Sequence, residues 1–230
     1  MHYFGGKART CGPIANYLEI VRAGKPYFEP FCGGLWVTAQ MTGERHCSDA
    51  NEALITLYKE VQKGWQPPSV VPEEVYQDYK ARQPKDDPMT AFVGIGCSFA
   101  GKWFGGYARS DSRNYASNAK NSLLKKMAKC SDVKFSYGDY LTTVSEAPKG
   151  SLVYMDPPYA ETTGYAATGA FDAGQFWSIV RVLSREYTVV VSEYSAPPDF
   201  QTVLEIPTKT DVRTTAGKAP RIEKLFRYAI

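Results

Sequence analysis

An aspartate, two prolines and a tyrosine follow an apolar segment in the second half of the chain, as Asp156-Pro157-Pro158-Tyr159. An exocyclic amine is a poor nucleophile because its lone pair is conjugated with the ring, and two hydrogen-bond acceptors around it favour the rehybridised, reactive nitrogen. The Asp156 carboxylate and the Pro157 carbonyl are such acceptors, the prolines fix φ and stiffen the loop, and Tyr159 offers a flat face for stacking. The pattern predicts methyl transfer to the amino group of a base taken out of its stack, with an ordinary turn after a strand as the alternative.

Three further motifs each follow a predicted strand and suit parts of a nucleoside cofactor. Gly33 and Gly34 in Glu29-Pro30-Phe31-Cys32-Gly33-Gly34 would let the backbone approach a ligand closely. Asp49 is placed to bind ribose hydroxyls, and Asp139 is placed to accept a hydrogen bond from an adenine amino group. The alternatives are a plain turn for the glycines, a helix N-cap for Asp49 or Asn51, and a turn for Asp139. Together, their order and spacing favour the cofactor interpretation.

Composition narrows the class of protein. The chain has 230 residues, is 43% hydrophobic and carries a net charge of +3, which fits a globular domain and only weakly indicates a nucleic-acid partner. Its five cysteines include no CxxC pair and it has two histidines, so we expect no metal site and a cytoplasmic location. We also expect no membrane span, because no apolar stretch approaches the ~18 residues required.

The periodicity of apolar residues predicts an α/β fold with an interruption. Predicted strands cover residues 25–29, 45–48, 133–137, 151–155, 187–192 and 222–227. Predicted helices cover residues 35–41, 51–63, 73–82, 88–95, 118–129 and 171–185. The segment 97–109 is rich in glycine and aromatic residues and is predicted to be an ordered loop or hairpin. Strand, glycine loop, helix, strand and helix in that order begin a doubly wound sheet.

These motifs resemble those of the Dam-type DNA adenine-N6 methyltransferases (D12 class, alpha group), over nearly the whole chain. Tyr3-Phe4-Gly5-Gly6-Lys7 is similar to the opening motif of that family, and Asp156-Pro157-Pro158-Tyr159 matches its catalytic motif in full. The resemblance implies S-adenosylmethionine as cofactor, no metal, and a Rossmann-like fold with a mostly helical target-recognition insert. It further implies that cofactor contacts come from Tyr3, Lys7, Glu29, Pro30, Phe31, Gly33, Gly34, Asp49, Asp139, Tyr140 and Asp156. Glu223, in the closing strand, is expected to be structural.

The predicted domain division places the catalytic domain at residues 1–63 and 135–230 and the insert at residues 64–134. Between Gly101 and Cys130 the chain has seven Lys or Arg residues and one acid, which predicts either DNA contact or a solvated face. The proposed DNA-binding residues are Lys102, Trp103, Tyr107, Arg109 and Arg113, although the aromatics among them could equally pack a small satellite core. Double-stranded DNA is the expected partner, for a monomer or weak dimer.

The chain departs from the family pattern at two points. Leu35 stands where the family often has glycine, so the geometry of the cofactor loop does not follow from the resemblance. The insert lacks the Asn-x-Pro-x-Gly pattern of members that read GATC, so a GATC target does not follow either. Three alternatives stay open: a cytosine-N4 or RNA adenine methyltransferase, a catalytically inactive DNA-binding relic, and, weakly, a nicotinamide-dependent dehydrogenase. Asp156 favours adenine in DNA, because the cytosine-N4 enzymes tend to have serine and the RNA enzymes asparagine at that position.

Overall fold

The computed structural model describes residues 1–158, 171–208 and 221–229. Its strands form one seven-stranded sheet in the order β3-β2-β1-β4-β5-β7-β6. The strands are β1 (Tyr27–Glu29), β2 (Arg45–Asp49), β3 (Lys134–Tyr137), β4 (Leu152–Met155), β5 (Thr188–Glu193), β6 (Phe200–Thr208) and β7 (Arg221–Tyr228). Strands β1 to β5 are parallel to one another, and β7 runs antiparallel between β5 and β6. The order therefore reverses between β1 and β4, which is where open α/β sheets bind ligands.

Helices cover both faces of the sheet. They are α1 (Cys11–Arg22), α2 (Glu52–Gln62), α3 (Glu73–Arg82), α4 (Pro88–Ala91), α5 (Tyr115–Met127), α6 (Tyr140–Ser145) and α7 (Ala173–Leu183). Alternate residues of β4 point to opposite faces: Leu152 and Tyr154 pack in a cluster with α1, whereas Val153 and Met155 pack in a cluster with α6 and α7. The architecture is the predicted α/β fold of Rossmann-like type.

Region 64–134 is mostly helical and shares its hydrophobic core with the sheet. Leu123 of α5 and Phe92, in a π-helical segment after α4, belong to the same buried cluster as Leu54 of α2 and Phe135 of β3. The segment 97–109 is hairpin-like, as predicted, because Ser98 and Tyr107 form an antiparallel bridge. Phe104 is buried in this main cluster and not in a satellite core.

One predicted helix is wrong. Residues 35–41 contain only a 3-10 turn, Thr38–Gln40, and Leu35 has φ 57°, a left-handed conformation that no right-handed helix contains. The tight turn after Gly33 and Gly34 overrides the helical preference of the sequence. Two helices and a strand were not predicted, namely α1, α6 and β6; in α1 the buried Cys11, Ile14, Ala15 and Leu18 have helical spacing that would have indicated it.

Two further features concern the cysteines and the length of the helices. The five cysteines are free and buried in the structure. No helix within the described ranges has the length and apolar character needed to cross a membrane.

We predict that truncating Leu123 destabilises the sheet and the 64–134 region together. Leu123 is 1% exposed in the shared cluster, so Leu123→Ala is expected to lower the free energy of unfolding by about 3 kcal/mol in one cooperative transition. Urea denaturation followed by circular dichroism and by tryptophan fluorescence measures this. Ile20→Ala, at a position 77% exposed, is the control and should change stability by about 0.5 kcal/mol or less. Separate transitions for the two probes would contradict a shared core.

Candidate functional site

A cavity of about 360 Å³ opens at the carboxyl ends of the parallel strands. Its volume falls within the range of roughly 300–1,000 Å³ that is usual for small-molecule sites. Each residue predicted to contact the cofactor lines it: Tyr3, Lys7, Glu29, Pro30, Phe31, Gly33, Gly34, Asp49, Asp139, Tyr140 and Asp156. Tyr3 and Lys7 come from the amino-terminal segment, and strands β1, β2, β3 and β4 deliver the others to one edge of the sheet, because the carboxyl ends of parallel strands lie together.

The glycine loop follows β1 and approaches the cavity with its backbone. An ideal Cβ on Gly34 would lie 2.8 Å from the Cβ of Tyr3, so no larger residue fits there. Gly33 has φ 40° and Leu35 has φ 57°, and a leucine in this left-handed region costs about 1–2 kcal/mol. Leu35 stands where the family often has glycine, and its backbone has the left-handed conformation that glycine adopts easily.

Asp49 fastens the glycine loop to the second strand. Its Oδ2 accepts a hydrogen bond of 3.0 Å from the Gly33 N–H, and its Oδ1 accepts one of 2.9 Å from the Asn51 N–H. Burial raises the pKa of Asp49, and these two hydrogen bonds act in the opposite direction. The N-cap of α2 is Asn51, whose side chain accepts from Leu54 N–H, so the capping alternative holds for Asn51 and not for Asp49. A buried carboxylate at the cavity wall matches the predicted ribose-binding position.

Asp139 and Tyr140 form the wall after β3. Asp139 is exposed, and its Oδ1 caps α6 by accepting a 2.8 Å hydrogen bond from Leu141 N–H. The Tyr140 ring stacks on Phe31 with centroids 5.3 Å apart. Phe171 meets Phe31 edge-on at 6.1 Å and also lines the cavity, although the sequence interpretation did not include it. This aromatic group gives the cavity an apolar end that suits a purine ring.

Asp156 stands directly after β4 and is held by a buried lysine. Lys7 Nζ donates to Asp156 Oδ1 at 2.7 Å and lies 3.7 Å from Glu223 Oε1. Burial alone lowers the pKa of Lys7, but attraction to Asp156 and Glu223 outweighs it, and the pKa is raised. Ser192 Oγ donates to Glu223 Oε1 at 2.6 Å. Lys7 was predicted to contact the cofactor, and in the structure its partner is Asp156 in the loop after β4.

Glu29 ends β1 as a buried acid in the same cavity. Tyr27 Oη donates to Glu29 Oε2 at 2.8 Å, and Thr38 Oγ1 donates to the same oxygen. Burial is the main reason that the pKa of Glu29 is raised to about 8, from an ordinary value of 4.5. Glu29 is therefore largely protonated at neutral pH in the protein without ligand.

The remaining predicted residues are distributed unevenly. Pro158 lines the cavity; Pro157 is buried next to it, and Tyr159 lies outside the described residues. Lys102 and Trp103 also line the cavity, and Lys102 Nζ lies 4.6 Å from the ring centroid of Phe4. By contrast, Tyr107, Arg109 and Arg113 line a separate depression on region 64–134. Tyr107 Oη donates to the Val71 carbonyl at 2.8 Å, and Arg109 pairs with Glu73, so both also have structural partners.

Two further residues of this neighbourhood, besides Phe171, were missed by the sequence interpretation. Trp36 lines the cavity, and Lys126 of α5 is buried next to it with its Nζ 4.0 Å from the Trp36 ring centroid. Nothing in the sequence indicates Trp36. Lys126 had a signal: it follows Ala116, Ala119 and Leu123 at helical spacing, and so lies on the buried face of a basic helix.

A doubly wound sheet of this strand order, with an acid- and glycine-lined cavity at its carboxyl edge, defines a Rossmann-like S-adenosylmethionine-dependent methyltransferase. The chain belongs to the D12 class of N6 adenine-specific DNA methyltransferases, whose family model matches residues 3–93 and 98–203. S-adenosylmethionine is accordingly the cofactor of this protein. No curated protein sequence matches the chain.

Solved structures with a similar fold are distant in sequence. The rRNA methyltransferase AviRa from Streptomyces viridochromogenes is 13% identical, with a TM-score of 0.42 over 98% of this chain and 87% of that chain. Precorrin-6y C5,15-methyltransferase from Geobacter metallireducens is 8% identical, with a TM-score of 0.41 over 98% of this chain and 92% of that chain. Similarity at this level carries no information about substrate.

We predict a specific pH dependence of stability from Glu29. Because its folded pKa of about 8 lies above the ordinary 4.5, the native state keeps a proton that the unfolded chain releases. The resulting stability is fully present below pH 4.5 and is lost as the pH rises through about 8. Glu29→Gln, whose amide oxygen accepts the same two hydroxyl donors, lacks this dependence. Urea unfolding from pH 5 to 9 should show the wild type losing stability relative to Glu29→Gln, by up to ~1.4 kcal/mol per pH unit. Parallel curves would show that Glu29 is ionised in the folded protein.

Proposed function

We propose that this protein transfers a methyl group from S-adenosylmethionine to N6 of an adenine flipped out of double-stranded DNA. One observation carries the proposal: a single cavity holds the glycine loop and Asp49 on one side, Asp156 on another, and Lys102 and Trp103 of region 64–134 at its edge. The cofactor, the acceptor group and the bound DNA would therefore meet within one site. The family to which the chain belongs supports DNA and adenine N6 as the substrate.

The cofactor would lie along the carboxyl ends of the first three strands. The Gly33–Gly34 backbone would receive its amino-acid part, Asp49 its ribose hydroxyls, and Asp139 with the Phe31 and Tyr140 rings its adenine. Glu29 and Tyr3 would border the amino-acid part. S-adenosylmethionine supplies the methyl group from a positively charged sulfur, and neutral S-adenosylhomocysteine is a good leaving group without a metal ion.

Asp156 and the Pro157 carbonyl would hold the two hydrogens of the target amino group. Methyl transfer forms a bond between N6 and the methyl carbon, breaks the bond between that carbon and sulfur, and releases one N6 proton. The nitrogen becomes positive during attack, and a carboxylate next to it stabilises that charge. Lys7 would act as a positioning residue, since its ammonium holds one carboxylate oxygen at 2.7 Å and favours the ionised form of Asp156. Tyr159 would stack on the flipped base.

Residues 64–134 would form the target-recognition insert. Lys102 and Trp103 lie at the cavity edge, where the DNA strand next to a flipped base must pass, so a phosphate contact and a stacking contact suit them. Arg113, with Tyr107 and Arg109, would extend this surface along the second depression. A monomer or weak dimer and a cytoplasmic location remain predictions from the sequence.

We predict that Asp156→Asn abolishes most methyl transfer. The variant keeps the side-chain shape but loses the charge that stabilises the attacking nitrogen, so kcat should fall by about 100-fold or more. The assay measures transfer from labelled S-adenosylmethionine to duplex DNA, followed by nucleoside analysis and sequencing of modified sites. Asp86→Asn, an exposed acid away from the cavity, is the matched control. Label in N6-methyladenine supports the proposal; label in cytosine or only in RNA would move the substrate to another class, and wild-type protein that binds cofactor without transferring label would indicate an inactive relic.

We predict that Lys102→Gln weakens DNA binding through one lost phosphate contact. The affinity for duplex DNA should fall, and the dependence of log K on log salt concentration should become shallower by about 0.9. Fluorescence anisotropy with labelled duplex over a salt series measures both quantities. Lys149→Gln is the control, because Lys149 is exposed and lies before β4, at the opposite edge of the sheet from the cavity. Unchanged affinity and slope in Lys102→Gln would remove Lys102 from the DNA interface.

A further inference from the structure

The turn Gly33-Gly34-Leu35 must be held in its conformation by its surroundings. Gly33 and Leu35 both have positive φ, and Leu35 is fully buried. Glycine adopts such angles freely, whereas leucine disfavours them, so this chain lacks the third glycine that would stabilise the turn from within. A disfavoured backbone conformation persists only where neighbouring groups fix it.

Two side chains hold the Gly33 and Gly34 carbonyl groups of this turn. Tyr58 Oη, from α2, donates to the Gly33 carbonyl. Lys126 Nζ, from α5, donates to the Gly34 carbonyl and also to the Met1 carbonyl at 3.3 Å. The first contact lies within the catalytic domain, and the second comes from region 64–134. Both carbonyls adjoin the cavity wall formed by Gly33 and Gly34.

A lysine at position 126 is not explained by a contribution to general stability. It is 8% exposed. Within the described part of the chain its Nζ contacts backbone carbonyls and the Trp36 ring, and no carboxylate there forms an ion pair with it. A buried ammonium without an acidic partner is costly, and an apolar side chain of similar length would fill the same space at lower cost. The specific feature of lysine here is the hydrogen bond that it directs to the strained turn.

We propose that Lys126 is a positioning residue for the cofactor: it holds the Gly33-Gly34-Leu35 turn in its binding conformation and so makes that conformation depend on helix α5. This inference rests on the proposed location of the cofactor in the cavity. It also means that region 64–134 contacts the Gly33-Gly34-Leu35 turn directly, through the Lys126 side chain.

The test measures binding of S-adenosylhomocysteine by isothermal titration calorimetry to the full-length protein. Lys126→Met is expected to weaken binding about tenfold or more, which corresponds to one hydrogen bond from a charged group. In steady-state assays its KM for S-adenosylmethionine should rise while kcat at saturation changes little. Lys126→Gln, also without the ammonium, should weaken binding in the same direction and serves if the methionine variant does not fold.

Lys125→Met is the matched control, since Lys125 is the exposed neighbour on the same helix and should bind as the wild type does. A folded Lys126 variant that binds S-adenosylhomocysteine within about twofold of the wild type would overturn the inference. Asp49→Ala separates this failure from failure of the cofactor site itself: unchanged binding in Asp49→Ala would mean that the cofactor lies elsewhere.

A second substitution distinguishes positioning from general structural support. Glycine at position 35 adopts the left-handed conformation without help, so adding Leu35→Gly to Lys126→Met should recover part of the lost affinity. Leu35→Gly alone shows what the loss of the buried side chain costs. If the two substitutions weaken binding independently, Lys126 does not act through the turn, and the inference fails.

Discussion

The ion pair between Lys7 and Asp156 is the interaction on which the site depends. It joins residues 149 positions apart, so it fixes the amino-terminal segment against the loop after β4. Glu223 contributes a second carboxylate from β7, the antiparallel strand inserted beside β5. Removing one partner from a buried pair leaves an uncompensated charge, which costs far more than the pair itself contributes. One cation, Lys7, therefore holds together the amino-terminal segment, the loop after β4 and strand β7.

The sheet order explains why the other site residues converge. Reversal of strand order between β1 and β4 leaves a crevice at the carboxyl edge, and β1, β2, β3 and β4 each end at or next to a residue that lines it. The two acids differ in their protonation chemistry because their surroundings differ. Burial raises the pKa of Glu29 to about 8 although its two hydroxyl donors act in the opposite direction, whereas Asp156 accepts a hydrogen bond from a lysine ammonium. Burial thus suppresses the charge at the end of β1, whereas a lysine cation lies against the carboxylate that follows β4.

The sequence predicted the α/β fold and the residues that line the cavity, because both depend on local patterns. A strand followed by Gly33 and Gly34 or by Asp156 is visible in a few residues, and parallel topology then brings the motifs to one edge. The errors came from longer-range effects. Leu35 was placed in a helix because its propensity is helical, and the tertiary turn overrides it. The Lys7 partner could not be predicted, since nothing local to residue 7 indicates a carboxylate from residue 156.

The shared hydrophobic core constrains which substitutions region 64–134 can accept. Leu123 and Phe92 of region 64–134 pack in one cluster with Leu54 of α2. Changes on that buried face alter the sheet layer as well, because packed interiors transmit changes in volume. Only the surface of the region, where Lys102 and Arg113 are exposed, can vary without that consequence. If region 64–134 contacts DNA as proposed, differences in DNA target between related proteins should arise from segment 97–109 and from the depression lined by Tyr107, Arg109 and Arg113. The buried face that contacts α2 and the glycine loop should keep its shape.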